Sequence, residues 1–422
     1  MISAYSCRPG EGSEPGVGWN IAVAMARSHS VWVLTSHSNR PFIEAALRER
    51  PIEHLHFRFD GLPRWLAAGR HNRLGAELYH YIWQIAAYFS ARRMHRTARF
   101  HVVHHVTFGK CWTPSFLSLL PIPFVWGPVG GAESAPMSFW PGCGIRGLAF
   151  ECVRGTARWF AAHGVFVRLT ASRARVAVAK TDETARWLRR VGAADVRVCS
   201  EVALPATDVE RMADTGGANE PNTVRFVSVG NLIHVKGFHL ALRALAASGL
   251  PHAEYWIVGD GPERRRLQKL ARVLRLEGRV HFLGRLPRKQ ALEHVGRCDI
   301  LVHPSLHDSG GWATVEALAA GRPVICLDIG GPGLQITAET GIKVAARSPR
   351  QAITDLAAAM RALTADRPRR ARMALAARAY ARQEFTIERQ HTRFDALYRE
   401  VIADSGDAAC ISASQQTSNV IP

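Results

Sequence analysis

The chain is poor in lysine. Only six of its 54 cationic side chains are Lys (110, 180, 236, 269, 289 and 343), and the rest are Arg. It has no uninterrupted apolar run of about 18 residues, which excludes a membrane-spanning helix on hydropathy. Met1-Ile2-Ser3-Ala4-Tyr5-Ser6 offers neither a basic nor an apolar leader region, so no secretory signal is expected. Eight cysteines (7, 111, 143, 152, 199, 298, 326 and 410) include no Cys-x-x-Cys pair or other metal spacing. Reduced thiols that mostly fill core space, in a cytosolic protein, are the expectation. Zinc spacings, RNP signatures and Lys-rich tails are also missing, so nucleic acid is not expected as a partner. What remains is 422 residues with 47% hydrophobic and 21% charged side chains, ordinary globular values and enough for two large domains.

Charge is the outlier. The net charge is +19, of which residues 1–205 carry +12 (25 basic, 13 acidic). Heavy arginine use can mirror genome base composition alone. It also suits polyanions such as anionic lipid or a diphosphate. Within 62–99, Trp65, Tyr79, Tyr81, Trp83, Tyr88 and Phe89 alternate with Arg64, Arg70, Arg73, Arg92, Arg93 and Arg96. A helix of this composition fits an anionic membrane interface. A core helix with a basic outer face fits it equally.

Along the chain, short apolar runs alternate with helical stretches. Ile2–Tyr5 reads as a strand, followed by a loop opened by Gly10, Gly12, Gly16 and Gly18, a helix over 20–27, and a strand at 31–35. The loop is not Gly-x-Gly-x-x-Gly, so a dinucleotide is not indicated. Further strands are expected at 102–106, 123–126, 177–180 and 196–198. The second half repeats the pattern at 225–229, 255–258, 280–283, 300–304 and 323–326. Strands spaced by helices imply parallel sheets covered on both faces, with ligands beyond the carboxyl ends of the strands. The chain turns polar between Pro205 and Pro221. The expected domains are 1–210, 211–385, a helix over 386–404 packing back on the first domain, and a disordered tail at 405–422.

Two segments carry the chemistry. In His307-Asp308-Ser309-Gly310-Gly311-Trp312-Ala313-Thr314-Val315-Glu316, a glycine loop runs from a strand into a helix. Its backbone N–H groups suit a diphosphate, and the two carboxylates suit hydroxyls on either side of it. A plain helix cap at Asp308 or Ser309 is the competing reading. In Gly230-Asn231-Leu232-Ile233-His234-Val235-Lys236-Gly237, a rare lysine follows a strand where it can neutralise a phosphate.

Taken together, Gly230…Lys236-Gly237, Gly259-Asp260-Gly261-Pro262, Gly284-Arg285, Asp308…Glu316 and Ala320-Gly321-Arg322-Pro323-Val324 resemble the donor domain of family 4 retaining glycosyltransferases of the bacterial polysaccharide-assembly type. Pro9–Asn20 and Trp126-Gly127-Pro128-Val129-Gly130-Gly131-Ala132-Glu133 resemble N-terminal signatures of one branch. The resemblance implies an α/β GT-B fold, with two Rossmann-like domains whose parallel sheets face across a cleft. It implies Glu316 on the ribose, Asp308 beside the donor sugar, and amides of Gly310, Gly311 and Trp312 facing the diphosphate. Lys236 would neutralise the leaving group, with Gly230, Asn231, Gly259 and Gly261 around the donor and Arg285 at the base. Gly16 and Gly18 would approach the phosphates. His104 or His105 would contact the donor sugar, and spacing does not choose between them. Two positions depart from the family: Asp308 stands where Glu is usual, and Asn231 where Arg is usual.

The implied reaction transfers a sugar from a nucleotide diphosphate sugar, as co-substrate, to an acceptor hydroxyl with retention of configuration. The implied acceptor is a glycan or a polyprenyl-diphosphate-linked glycan. No Asp-x-Asp motif fits the donor loop, so no metal and no further cofactor are expected. The location implied is cytoplasmic, peripheral on the inner face of the membrane. The alternative is a non-catalytic GT-B protein that binds nucleotide or glycan, and a nucleotide-sugar epimerase is a further one.

Overall fold

A computed structural model describes residues 1–63, 73–214 and 223–404. The chain divides into two compact units. The first comprises 1–132, 157–201 and the chain from 387, and the second comprises 133–156 and 202–386. The segments 64–72, 215–222 and 405–422, which include Arg64, Trp65, Arg70, the last part of the polar stretch before Pro221 and the tail, lie outside the described residues.

In the first unit, β1 (Ile2–Ser3), β2 (Val31–Ser36), β3 (Leu55–Asp60), β4 (Val103–His105), β5 (Phe124–Val129), β6 (Ala174–Ala179) and β7 (Val196–Val198) form one parallel sheet in the order 3-2-1-4-5-6-7. In the second, β8 (Arg225–Val229), β9 (Glu254–Val258), β10 (Val280–Gly284), β11 (Ile300–His303), β12 (Val324–Leu327) and β13 (Gly341–Val344) run parallel in the order 10-9-8-11-12-13. In each sheet the strand order reverses direction once, between β1 and β4 and between β8 and β11. There the following loops part to opposite faces and leave a crevice at the carboxyl edge. The Gly230–Gly237 and His307–Gly311 segments follow β8 and β11, so they flank the second switch point.

Apolar side chains on the strands and on the inner helix faces fill both units. Trp83, Phe124 and Trp126 anchor the first core, and Phe226, Tyr255 and Met360 the second. Local chemistry sets the helix ends. Ser348 accepts from the Gln351 amide at the start of the helix Pro349–Ala365. Asp366 accepts from the Arg369 amide and opens Arg367–Glu384, so one long helical stretch becomes two. The final helix, Ile387–Ala403, belongs to the first unit. It is held there by Arg27–Glu388 (2.8 Å) and His29–Asp395 (2.7 Å).

One expectation needs correction. Gly16 and Gly18 do not lie in an open loop, because the first helix already spans Ser13–Met25 and both glycines are buried in it. Glu14 and Pro15 are favourable in a first helical turn, so the helix starts seven residues earlier than the sequence pattern suggests. Gly18 is needed for close approach, since a Cβ there would lie 2.3 Å from the Ser6 carbonyl oxygen. The helix 73–98 buries Tyr79, Trp83, Ala87 and Ala91 and exposes Leu78, Ile85 and Phe89, so it is a core helix whose outer face is also apolar. Of the thiols, Cys7, Cys111, Cys298 and Cys326 are buried and Cys152 is exposed. Among the described residues, no helix is long and apolar enough to cross a membrane.

Candidate functional site

The second switch point is built from loops that lock one another. The loops after β8, β9 and β10 are laced by backbone bonds from Gly230 N–H to the Val258 carbonyl (3.0 Å), Leu232 N–H to Asp260 (2.9 Å) and Gly259 N–H to Gly284 (2.8 Å). Leu306 N–H donates to the Val235 carbonyl (2.8 Å), which ties the two ligand-edge loops together. Asn231 and Arg285 are exposed on this rim.

Asp308 is the hub. Its Oδ2 accepts from Lys236 Nζ (2.6 Å) and His303 Nε2 (3.0 Å), and its Oδ1 accepts from the Gly311 N–H (3.1 Å). Burial alone would push this carboxyl up. The Lys236 ammonium and the His303 bond outweigh it and hold Asp308 well below the usual carboxylate range. Lys236 and the Gly311 amide, both expected to meet a diphosphate, are therefore satisfied by Asp308 here. Gly311 caps the helix Trp312–Ala319 in the left-handed region (φ +62°), and a Cβ there would lie 2.2 Å from Gln335 Oε1. Gln335 Nε2 also donates to the Gly310 carbonyl (2.6 Å), so the glycine loop is propped from behind.

Glu316 points from that helix to Arg288 (3.0 Å), which also reaches Asp208 (3.4 Å). Its side chain is 12% exposed. Burial pushes its pKa up, Arg288 pulls it down, and Asp208 adds to the upward shift. A carboxylate held by one arginine keeps acceptor capacity for a diol. A further carboxylate, Glu133, backs the loop, a role the sequence did not indicate. Glu133 accepts from Ser309 Oγ (2.6 Å) and faces His307 Nε2 (3.6 Å), while Arg154 donates to the Glu133 carbonyl. His303, Arg288 and Gln335 were also missed. His303 was readable as the polar end of a strand, whereas Arg288 is one of many arginines and carried no signal.

In the first unit, strand alternation sends the two candidate histidines to opposite faces. His104 Nε2–H donates to the Gly127 carbonyl (2.5 Å), so its Nδ1 accepts from the Tyr398 hydroxyl (2.6 Å), and Phe394 packs against the ring. Both nitrogens are committed within the core. His105 Nδ1 pairs with Ser115 Oγ (2.9 Å) at the edge of the first switch point. Nearby, buried Lys180 is held by Glu14 (3.1 Å) and Glu201, and Glu14 also accepts from the Phe108 N–H (2.8 Å).

Burial drives the His104 pKa down to about 3 and that of His105 to about 4. Both folded values are depressed below the ordinary value near 6.5. Stability from keeping these rings neutral is therefore complete above about pH 6.5. It falls by roughly 3 kcal/mol per pH unit for the pair as pH drops towards about 4. Urea titrations should show the unfolding midpoint dropping steeply between pH 6.5 and 4.5, whereas a flat profile would show that the folded rings accept protons.

Among the described residues, no group of three or more His, Cys, Asp or Glu is placed to hold a metal ion. Two parallel Rossmann-type sheets define the GT-B architecture, and solved glycosyltransferase structures similar to this chain have it. Residues 214–380 match the family model for glycosyl transferases group 1. The 2-deoxystreptamine N-acetyl-D-glucosaminyltransferase of Streptomyces fradiae is 36% identical over 107 residues, 24% of this chain and 25% of that protein. Glycogen synthase of Mycobacterium tuberculosis is 33% identical over 173 residues, 40% of this chain and 41% of that protein. The chain thus spans well under half the length of these curated relatives. Anabaena Alr3699/HepE, solved with UDP and glucose, superposes with a TM-score of 0.58 at 16% identity, over 97% of this chain and 100% of that one.

Proposed function

We propose that this protein is a retaining glycosyltransferase that moves a sugar from a nucleotide diphosphate sugar to an acceptor hydroxyl. The acceptor class proposed is a lipid-linked glycan in polysaccharide assembly, met at the inner face of the membrane. The observation that carries the reading is the convergence of Lys236, Asp308 and the Gly310–Gly311 loop at the β8/β11 switch point, with Glu316 one helix turn beyond. Charge builds on the leaving diphosphate as the glycosidic bond breaks. Lys236 and the loop amides are the groups to stabilise it, and Glu316 is the group to grip a ribose diol. For Lys236 to serve, an incoming diphosphate must share it with Asp308 or displace it. In the first unit, the histidine role that the family resemblance implies goes to His105, because both nitrogens of His104 are occupied. Water exclusion and orientation supply the rest, with the leaving phosphate oxygen as proton acceptor on the same face.

A thermal-shift screen with UDP, GDP, ADP and their sugars tests this. A true ligand at about 100 Kd adds about 2.7 kcal/mol of stability. Glu316→Ala should abolish most of that shift while the unliganded melting point stays within a few degrees. An unchanged shift would remove Glu316 from the site. The non-catalytic alternative draws support from Asp308 already neutralising Lys236 and from Asn231 in the arginine position. Nucleotide-dependent stabilisation without acceptor-dependent release of nucleoside diphosphate would favour it.

A further inference from the structure

The helix 73–98 carries two apolar faces. Tyr79, Trp83, Ala87 and Ala91 are buried, whereas Leu78 (60% exposed), Ile85 and Phe89 (60%) lie outward. At 100° per residue, positions 78, 85, 89, 92 and 96 fall within about 40° of one line, so exposed Arg92 and Arg96 extend the same outer stripe. A second apolar feature lies in the same unit, where the helix ending at His163 turns into the helix Val165–Arg173. Trp159, Phe160, Val165 and Phe166 are 60%, 64%, 74% and 54% exposed at this corner. Aromatic contacts connect the two features. Phe116 meets Tyr81 of the helix 73–98 and Phe166 of the corner edge-on, each at 5.6 Å between ring centres. Contiguous exposed apolar surface of this kind marks a docking site.

Charge identifies the occupant. Residues 78–132 and 152–181 contain no Asp or Glu and eleven Lys or Arg, of which Lys110 pairs with Glu77, Lys180 is buried between Glu14 and Glu201, and Arg154 is buried beside Glu151. Arg92, Arg96, Arg168 and Arg173 are exposed beside the apolar groups. Large aromatics flanked by arginines, with no acid among them, fit the headgroup–acyl boundary of an anionic bilayer, where rings insert and guanidinium groups meet phosphates. We infer that this protein docks on anionic lipid through a composite surface, in which the Trp159–Phe166 corner inserts and the outer stripe of helix 73–98 lies alongside. The inference rests on the membrane part of the reading above and is independent of the transferase part.

The test is flotation of the full chain with phosphatidylglycerol-containing vesicles, with pure phosphatidylcholine vesicles as the second arm. The wild-type protein should float with the anionic vesicles, and less so in high salt. Trp159→Ser/Phe160→Ser should lower vesicle partition at least tenfold, and Arg92→Glu/Arg96→Glu should do so with a weaker salt dependence. Both variants should keep the wild-type melting point and the nucleotide-induced thermal shift, since these side chains are exposed and outside the switch-point loops. A wild type that stays at the bottom of the gradient overturns the membrane reading and leaves nucleotide binding untouched. Flotation that is indifferent to both variants overturns this surface. Concentration-dependent self-association abolished by Trp159→Ser/Phe160→Ser, without flotation, assigns the patch to a second copy and overturns the lipid assignment.

Discussion

Lys236→Ala is expected to lower turnover about a thousandfold with the donor identified by the nucleotide screen, because in the proposed reaction the leaving diphosphate loses its lysine. The same change strips Asp308 of its 2.6 Å partner and leaves it with His303 and the Gly311 amide. A charged hydrogen bond of this kind is worth about 1.5–3 kcal/mol, so a fall in melting point of several degrees should accompany the kinetic loss. The two effects separate in Lys236→Arg. That variant keeps a cation beside Asp308 and should recover most of the melting point, but it recovers turnover incompletely because a planar fork does not place charge as an ammonium does. Steady-state kinetics and calorimetry on both variants read this directly. A kcat for Lys236→Ala within threefold of wild type would dismiss the lysine from the chemistry.

Lys180→Met should be the most destabilising single change outside the hydrophobic cores. Lys180 is almost completely buried, between Glu14 on the first helix and Glu201 just before the chain enters the second unit. Burial works against its charge, yet the two carboxylates hold its pKa above the ordinary lysine value, and Lys180 in turn lowers that of Glu14. Removing the cation leaves buried Glu201, and Glu14 with its side chain one-third exposed, without their counter-charge, which costs about 3 kcal/mol, the lower end of the range for breaking a buried pair. Chemical denaturation at pH 7 measures it. The sign of the pH dependence supports the attribution. With Glu14 depressed in the folded state, the wild-type advantage is present above the ordinary carboxylate range and disappears as pH falls through the lower folded value, so the deficit of Lys180→Met should narrow in acid. A deficit below 1 kcal/mol would show that the network relaxes around the loss.

The parts of the fold legible in sequence were those with a strong local signal. The strands β8 to β12 of the second unit are short, mostly apolar runs, and their expected bounds lie within a residue or two of those found. Of the four edge strands, β7 and β10 were expected from sequence, and β3 and β13 were not. An edge strand pairs on one side only, and Leu-His-Phe-Arg-Phe-Asp and Gly-Ile-Lys-Val mix polar residues into short segments. The Thr181 cap of helix 182–190 and the Ser348 cap of helix 349–365 are local chemistry of the kind sequence displays.

The sequence alone determined which residue types stand after β8 and β11, and therefore that Lys236, Asp308 and Glu316 belong to one sheet edge. The period of the strands and the glycines between them are encoded within a few neighbouring residues. Only the tertiary structure decided that Asp308 is shared by Lys236, His303 and the Gly311 amide, that His104 is locked by Tyr398 nearly 300 residues away while His105 is not, and that residues 133–156 supply Glu133 to the second unit. These pairings close long loops, and which partner meets a charged side chain depends on the packing of elements distant in the chain, to which local pattern is blind.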